Sequence, residues 1–335
     1  MARFGIGPDG YLRVQKETTY GTPLTNSMSA LPLRGEYSLN YMVSSIERSN
    51  LISSRYPQKP AKGRVVGDFE FSTDIIPSII GQSFQFFLGG ASSGAAVDST
   101  YTHQWLFKTT GNTAGYPFTI QEAVGSELAD TYTGAIINEI KIQSDSEGLL
   151  TQTMTGAFKD RAATNVARIG TLVYPSASPM TFANLKLYLT PNGSSEIEAE
   201  ADSVELTMTL GNEEGRFKVG DQTSKRPLIN GPEKLSLKVS LDADRLFRED
   251  AILYTDYSAR IVILATEYAG GTTPFKTEII IPKLMISPET EIKRSMEMIK
   301  QDLEFMAHTG GTTANTGVNT CLAEIRVTDA TTAWA

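Results

Sequence analysis

The chain has 335 residues, 40% of them hydrophobic and 20% charged, and its 30 basic and 38 acidic side chains give a formal charge of −8. That length and apolar content exclude a chain disordered throughout and suit about two domains. The acidic balance opposes tight general binding to nucleic acid, which needs clustered Lys and Arg.

The N-terminal sequence MARFGIGPDG lacks an apolar signal core, so synthesis in a cytoplasm without a secretory signal is expected. Residues 11–16 (YLRVQK) form a β-like segment, a loop rich in Thr, Gly, Pro and Asn follows, and LRGEYSLNYMV (33–43) resumes a strand pattern. A long polar connection over 44–62 precedes RVVGDFEFS, where Phe69 and Phe71 alternate with Glu70 and Ser72 as in a half-buried strand. Asp74 is the expected cap of a helix over 74–89, with Ile75, Ile76, Ile79, Ile80, Phe84, Phe87 and Leu88 at helical spacing, Pro77 in the first turn and Gly89–Gly90 at the end. This most apolar stretch is too short to span a bilayer, and no membrane insertion is expected. The loop GGASSGAAVDST leads to the strand-like HQWLFK, PFTIQEAV, AIINEIKIQ and LLTQTMTGAF.

After residue 160 the order recurs. NLKLYLT (184–190) corresponds to the first strand and DSVELTMTL to the second; another polar connection over 211–230 leads to EKLSLKVSLD, and DADRLFREDAILYTDY reads as a helix near 242–257 capped by Asp242 or Asp244, burying Leu246, Ile252 and Leu253. RIVILATE, FKTEIIIPKLMIS, SMEMIKQDLEFMA and LAEIRVTD (322–329) complete the set. Pairing Leu39 with Leu206, Phe69 with Leu235 and Ile142 with Ile286 suggests a duplication. The expectation is a mainly β (α+β) protein of two similar sandwich or barrel domains with one helix each, at 1–165 with an N-terminal arm and at 166–335 with a C-terminal strand.

Motifs for chemistry fail on context. Gly5, Gly7 and Gly10 have nucleotide-loop spacing but no strand before them or helix after them. Gly90, Ser92 and Gly94 match a nucleophile elbow but follow a helix and lie in low-complexity sequence, so Ser92 is expected in a solvent-facing loop. His103 and His308 lie in no metal-ligand spacing and read as surface or edge-strand residues without a catalytic partner. The lone Cys321 excludes an internal disulfide and a cysteine zinc site. Glu196, Glu198, Glu200, Asp202 and Glu205 read as a solvated acidic face. No catalytic, cofactor or metal site is expected, and the chain is read as no enzyme.

Lys16-Glu17-Thr18-Thr19-Tyr20-Gly21-Thr22, followed by Leu31-Pro32-Leu33 and a strand, resembles the opening of the tail tube proteins of long-tailed bacteriophages. The order of strand, long connection, strand, helix and paired strands extends the resemblance over most of the chain. It implies a virion protein, made in the host cytoplasm, whose sheets join around a channel and whose rings stack into a tube through which DNA leaves during genome ejection. The implied partners are other copies of itself, as a trimer with pseudo-six-fold symmetry or a hexamer, then tape measure, tail terminator and baseplate or tip proteins, and transient double-stranded DNA.

The polar strand positions expected to face that channel are Glu70, Ser72, Glu139, Lys141, Gln143, Thr151, Thr153, Thr155, Glu205, Thr207, Thr209, Ser236, Lys238 and Ser240. Arg55, Lys59, Lys62, Arg216, Lys218 and Lys225, on the two long connections, are assigned to contacts between subunits or rings. A half-solvated sheet of another virion or surface β protein, a capsid decoration or an adhesin, has the same alternation and is the competing reading.

Overall fold

The computed structural model describes residues 10–330 apart from 24–27, 36, 48–58, 95, 98, 109–114, 125–127, 163–171, 174, 176, 192–193, 214, 243–249, 251–252, 288–291, 295–298 and 309–320. In chain order the elements are β1 (Gly10–Lys16), β2 (Met28–Leu31), β3 (Ser38–Ile46), β4 (Ala61–Asp74), helix α1 (Pro77–Leu88), β5 (Ser92–Ser93), β6 (Tyr101–Lys108), β7 (Phe118–Val124), β8 (Leu128–Asp145), β9 (Thr151–Phe158), β10 (Asp160–Ala162), β11 (Leu172–Val173), β12 (Leu185–Pro191), β13 (Ile197–Ala199), β14 (Ala201–Thr209), β15 (Lys234–Asp242), β16 (Asp256–Gly270), β17 (Thr273–Ile286), β18 (Ile292–Arg294), β19 (Ile299–Ala307) and β20 (Cys321–Asp329). The protein is mainly β, as its alternating segments require.

The strands order into one long antiparallel sheet and two flanking ones. The long sheet runs β3, β4, β9, β8, β14, β15, β19, and ends on β17 and β18, which pair successive parts of β19. The first flanking sheet runs β11, β2, β1, β7, β8, β10, with β11 parallel to β2. The second runs β13, β12, β16, β17, β20, β6, β5. Two strands pass from one sheet to another. β8 pairs β7 up to Ala135 and β9 from Ile136, with Gly134 at φ +66° beside the crossing, a conformation glycine adopts without strain. β17 pairs β20 up to Ile280 and β19 from Leu284, with Pro282, which has no ladder N–H to lose, between them.

Alternation places Phe69, Phe71, Ile140, Ile142, Met154, Val204, Leu206, Met208, Leu235, Leu237, Val239, Leu303 and Phe305 on the buried side of the long sheet, within one apolar cluster that includes both flanking sheets. Aromatic pairs cross the layers: Phe69 with Phe118 and Tyr257 with Phe305, both edge-on. Helix α1 is buried from Ile79 to Phe87 and touches β8, β6, β20 and β17; burying Phe84 or Phe87 contributes about 2 kcal/mol each.

Several local expectations change. Asp74 does not cap α1: it ends β4 and pairs with Arg34 at 3.4 Å, and the helix begins at Pro77 after Ile76. Leu253 is 73% exposed rather than buried, and Asp256 already opens β16, so the helix expected near 242–257 has at most the span between β15 and β16. Leu246 and Ile252 lie outside the described residues. Register sets Leu39 opposite Phe69 and Leu206 opposite Leu237, Ile137 opposite Gly156 beside a bulge, and Ile286 opposite Phe305.

Candidate functional site

All the polar positions singled out in the strands fall on one face of the long sheet, in register. One row reads Ser38, Glu70, Thr155, Glu139, Thr209, Lys234 from β3 to β15. The next reads Ser72, Thr153, Lys141, Thr207, Ser236, Met306, and a third Asp74, Thr151, Gln143, Glu205, Lys238, Glu304. A fourth holds Asp145, Ser203, Ser240 and Asp302. Partners across antiparallel strands share a face, so strands from both ends of the sequence build this surface together. Glu70, Asp145, Lys234, Lys238 and Met306 are exposed and the others partly so, except Thr151, which is 8% exposed between Asp74 and Gln143.

Short contacts tie neighbouring strands together across the face. Lys141 Nζ lies 2.7 Å from Glu205, Thr209 donates to Glu139 at 2.9 Å, Ser240 donates to Asp302 at 2.8 Å, and the Ser72 and Thr153 hydroxyls meet at 2.8 Å. Carboxylates at Glu70, Asp74, Glu139, Asp145, Glu205, Asp302 and Glu304 outnumber the lysines at 141, 234 and 238, so the surface is acidic and carries no stacking aromatic in these rows. Asp302, Glu304 and Met306 were missed by sequence reasoning although QDLEFMA alternates them with Leu303 and Phe305; Asp145 and Lys234 close strands whose ends the pattern left open.

The turn after β1 is built around one buried carboxylate. Glu17, 2% exposed, accepts hydrogen bonds from Gly21 N (2.7 Å), Thr119 Oγ1 (2.8 Å) and Gly134 N (2.8 Å), tying the turn to β7 and to the crossing point of β8. Burial is the largest influence on this carboxyl and raises its pKa, against those three bonds and the charge of Lys159. Gly21 is at φ +76°, and Lys159 Nζ sits 5.5 Å from the Tyr20 ring centre. The β14–β15 connection lies along this corner and the start of β4: Val65 N donates to Gln222 O (2.9 Å), Arg226 donates to Gly115 O (3.1 Å), and Tyr20 and Ser224 hydroxyls are 3.5 Å apart. Arg216 and Lys225 are spent partly within the connection, on Arg226 O and Asp221, while Lys218, Lys59 and Lys62 are exposed and Arg55 lies outside the described residues.

A family model described as "Phage tail tube protein" matches residues 7–307, nearly the whole chain. The chain belongs to the phage tail tube protein family. No curated protein matches it significantly. As a tail tube protein it is a structural component of the virion tail and assembles with copies of itself into the stacked tube. No helix among the described residues is long and apolar enough to cross a membrane.

The remaining reactive groups of this tail tube protein are engaged structurally. His103 is not a surface residue: it is 1% exposed on β6, between the rings of Tyr101 and Trp105, with Nε2 3.5 Å from the buried Asp329 of β20. Ser92 is exposed, as expected, but in β5, where its hydroxyl donates to Gln104 at 3.4 Å and not to His103. In the acidic run, Glu196 takes a two-pronged bond from Arg260 (2.9 and 2.7 Å), which holds its carboxyl below the ordinary range; Glu198 pairs with Lys186 at 3.0 Å.

Proposed function

We propose that the polar face of the long sheet lines the channel of the tail tube and that DNA slides over it during ejection. What carries this reading is the register itself: residues from seven strands, contributed by both parts of the chain, form one continuous acidic surface opposite one continuous core. Such a surface stays wet and offers a phosphate backbone neither a cationic track nor bases to stack on. The chain acts as a structural protein without catalytic activity, made in the host cytoplasm, and its tube meets tape measure, terminator and baseplate or tip proteins.

The two parts of the chain are read as diverged copies of one domain. The order β3, β4, β9, β8 followed by β14, β15, β19, β17 and β18 supports this, with α1 after β4 matched by the helical residues Asp250 and Leu253 after β15. β14 joins β8 within the chain, so the counterpart junction joins β3 of one copy to β18 of the next. β3 is suited to that: Met42, Val43 and Ile46 are 58%, 41% and 57% exposed on a nine-residue terminal strand, an arrangement isolated monomers avoid.

Strand spacing selects the ring size. Eight strands at ~4.8 Å, tilted ~45°, cover ~54 Å of circumference per copy. Three copies give a backbone diameter of ~50 Å and, after side chains, an opening that passes a duplex ~20 Å wide; six copies give ~100 Å, far more than a duplex needs. The trimer with pseudo-six-fold symmetry is therefore the assembly proposed.

Replacing Glu70 and Glu139 by Lys tests the channel assignment. Tubes should still assemble, because neither carboxylate packs in the core, and DNA release should slow as phosphates meet new cations within a Debye length of ~8 Å. Unchanged release from tubes of normal length would contradict it.

A further inference from the structure

β3 closes one end of the long sheet and, among the described residues, pairs only β4. β14, by contrast, lies between β8 and β15 and presents Val204, Leu206 and Met208, all buried, to the core. On the core side of β3 the alternation gives Leu39 between two tyrosines, Tyr37 just before the strand and Tyr41 within it, all three partly buried against the core. Each tyrosine carries its hydroxyl across to the layer behind. Tyr37 donates to Glu122 Oε1 of β7 at 2.8 Å, and Tyr41 donates to Asp160 Oδ1 of β10 at 3.2 Å. Both acceptors are themselves fixed. Glu122 also accepts from Tyr132 of β8 at 3.4 Å, and Asp160 accepts from the Arg161 backbone N–H at 2.8 Å, while the Arg161 guanidinium lies 2.7 Å from Asp130. Burial, then the bond to Glu122, raises the Tyr37 pKa well above the ordinary range; burial, then the charge of Asp160, raises that of Tyr41. Both hydroxyls therefore remain donors.

We propose that Tyr37 and Tyr41 are positioning residues for self-assembly, whose hydroxyls hold β3 in the extended geometry that the edge of a second copy must meet. The proposal rests on the reading of β3 as the joining edge. That edge needs holding. β9 covers β4 only from Gly67 to Asp74, so residues 61–66 of β4 pair β3 alone. A two-stranded ribbon of this kind twists more than a wide sheet and opens locally at low cost. Tyr41 stands opposite Gly67, the last residue of β4 that β9 reaches, so its bond to Asp160 pins β3 where the ribbon leaves the sheet. Tyr37 pins the other end of the same stretch to β7. Tyrosine suits the margin of the sandwich, with an apolar body for the core and a polar tip. An apolar side chain would fill the same space but leave the angle of β3 to the layer behind unset, whereas a hydrogen bond to a carboxylate has a fixed reach and direction. A strand ordered before contact spares the ordering cost that contact would otherwise carry.

Tyr37→Phe and Tyr41→Phe, singly and together, keep the aromatic bodies and remove the hydroxyls. The monomers should remain folded by circular dichroism, while amides of 38–46 exchange faster in hydrogen-exchange mass spectrometry. The concentration at which the double variant assembles, followed by sedimentation, should rise about tenfold, on the scale of one net hydrogen bond. Glu122→Gln keeps an acceptor and should assemble like the wild type. Glu122→Val should be impaired as Tyr37→Phe is, and combining the two should add nothing further. Unchanged exchange in 38–46, faster exchange with unchanged assembly, or a Glu122→Gln protein as impaired as Glu122→Val would overturn the positioning role. Val43→Pro separates this from the joining edge itself. If it blocks rings while the tyrosine variants assemble normally, the edge stands and the positioning role falls. If it too forms normal rings, the edge reading is wrong and the proposal falls with it.

Discussion

At the scale of single residues, Glu17 explains why the KETTYGT segment is distinctive: one carboxylate satisfies two backbone N–H groups and a hydroxyl that would otherwise be buried unpaired. Glu17→Ala should cost about 3 kcal/mol in urea unfolding, since each orphaned donor carries a desolvation penalty, whereas Thr18→Ala, at an exposed position, should change little. The two substitutions having equal effects would contradict this. The raised pKa also has a sign. The native state keeps its proton to higher pH than the unfolded chain, so the contribution of Glu17 favours the fold below its unfolded value and is lost as pH rises through the folded value. Relative to Glu17→Gln, the wild type should therefore lose stability as pH rises from the ordinary carboxylate range through the raised folded value, and a gain over that rise would show the carboxylate to be better solvated than its burial implies. The shared polar face of the long sheet was legible in sequence because period-two alternation fixes a side without needing partners. Burial of His103 was not, because it depends on Asp329 and β20, which arrive from more than two hundred residues away.

At the scale of elements, the long strands and α1 were legible, since each carries its own periodicity over seven or more residues. The strands that sequence missed, among them β5, β11, β13 and β18, are two or three residues long and are defined by a neighbour's ladder rather than by their own pattern. Crossing points show the same limit: Gly134 and Pro282 mark where β8 and β17 change sheets, but neither residue says which sheet comes next. In the proposed ring, the element on which joining depends most is β3. Val43→Pro removes a ladder N–H and an apolar contact from a terminal strand with no described neighbour beyond it, so the folded monomer should lose no more than about 1 kcal/mol while rings fail to form. Thermal unfolding and sedimentation velocity check the two halves of that statement separately. Normal rings from the variant would mean that β3 is not the joining edge.

At the scale of the whole molecule, the long sheet makes the two parts of the chain one body, and β20 reinforces it by pairing β6 on one side and β17 on the other. That strands recur along both parts of the chain was legible in sequence. The joint between the parts was not, because the β8–β14 pairing and the placement of the terminal strand are long-range choices. The central claim is that this sheet curves around a channel with its acidic rows inward. Electron cryomicroscopy of the assembled protein tests it most directly: the account predicts hollow three-chain rings, with Glu70, Lys141, Thr207 and Lys238 facing the lumen and Phe69, Leu206 and Leu237 in the wall. A tube with those polar rows on its outer surface, or an assembly with no channel, would contradict it.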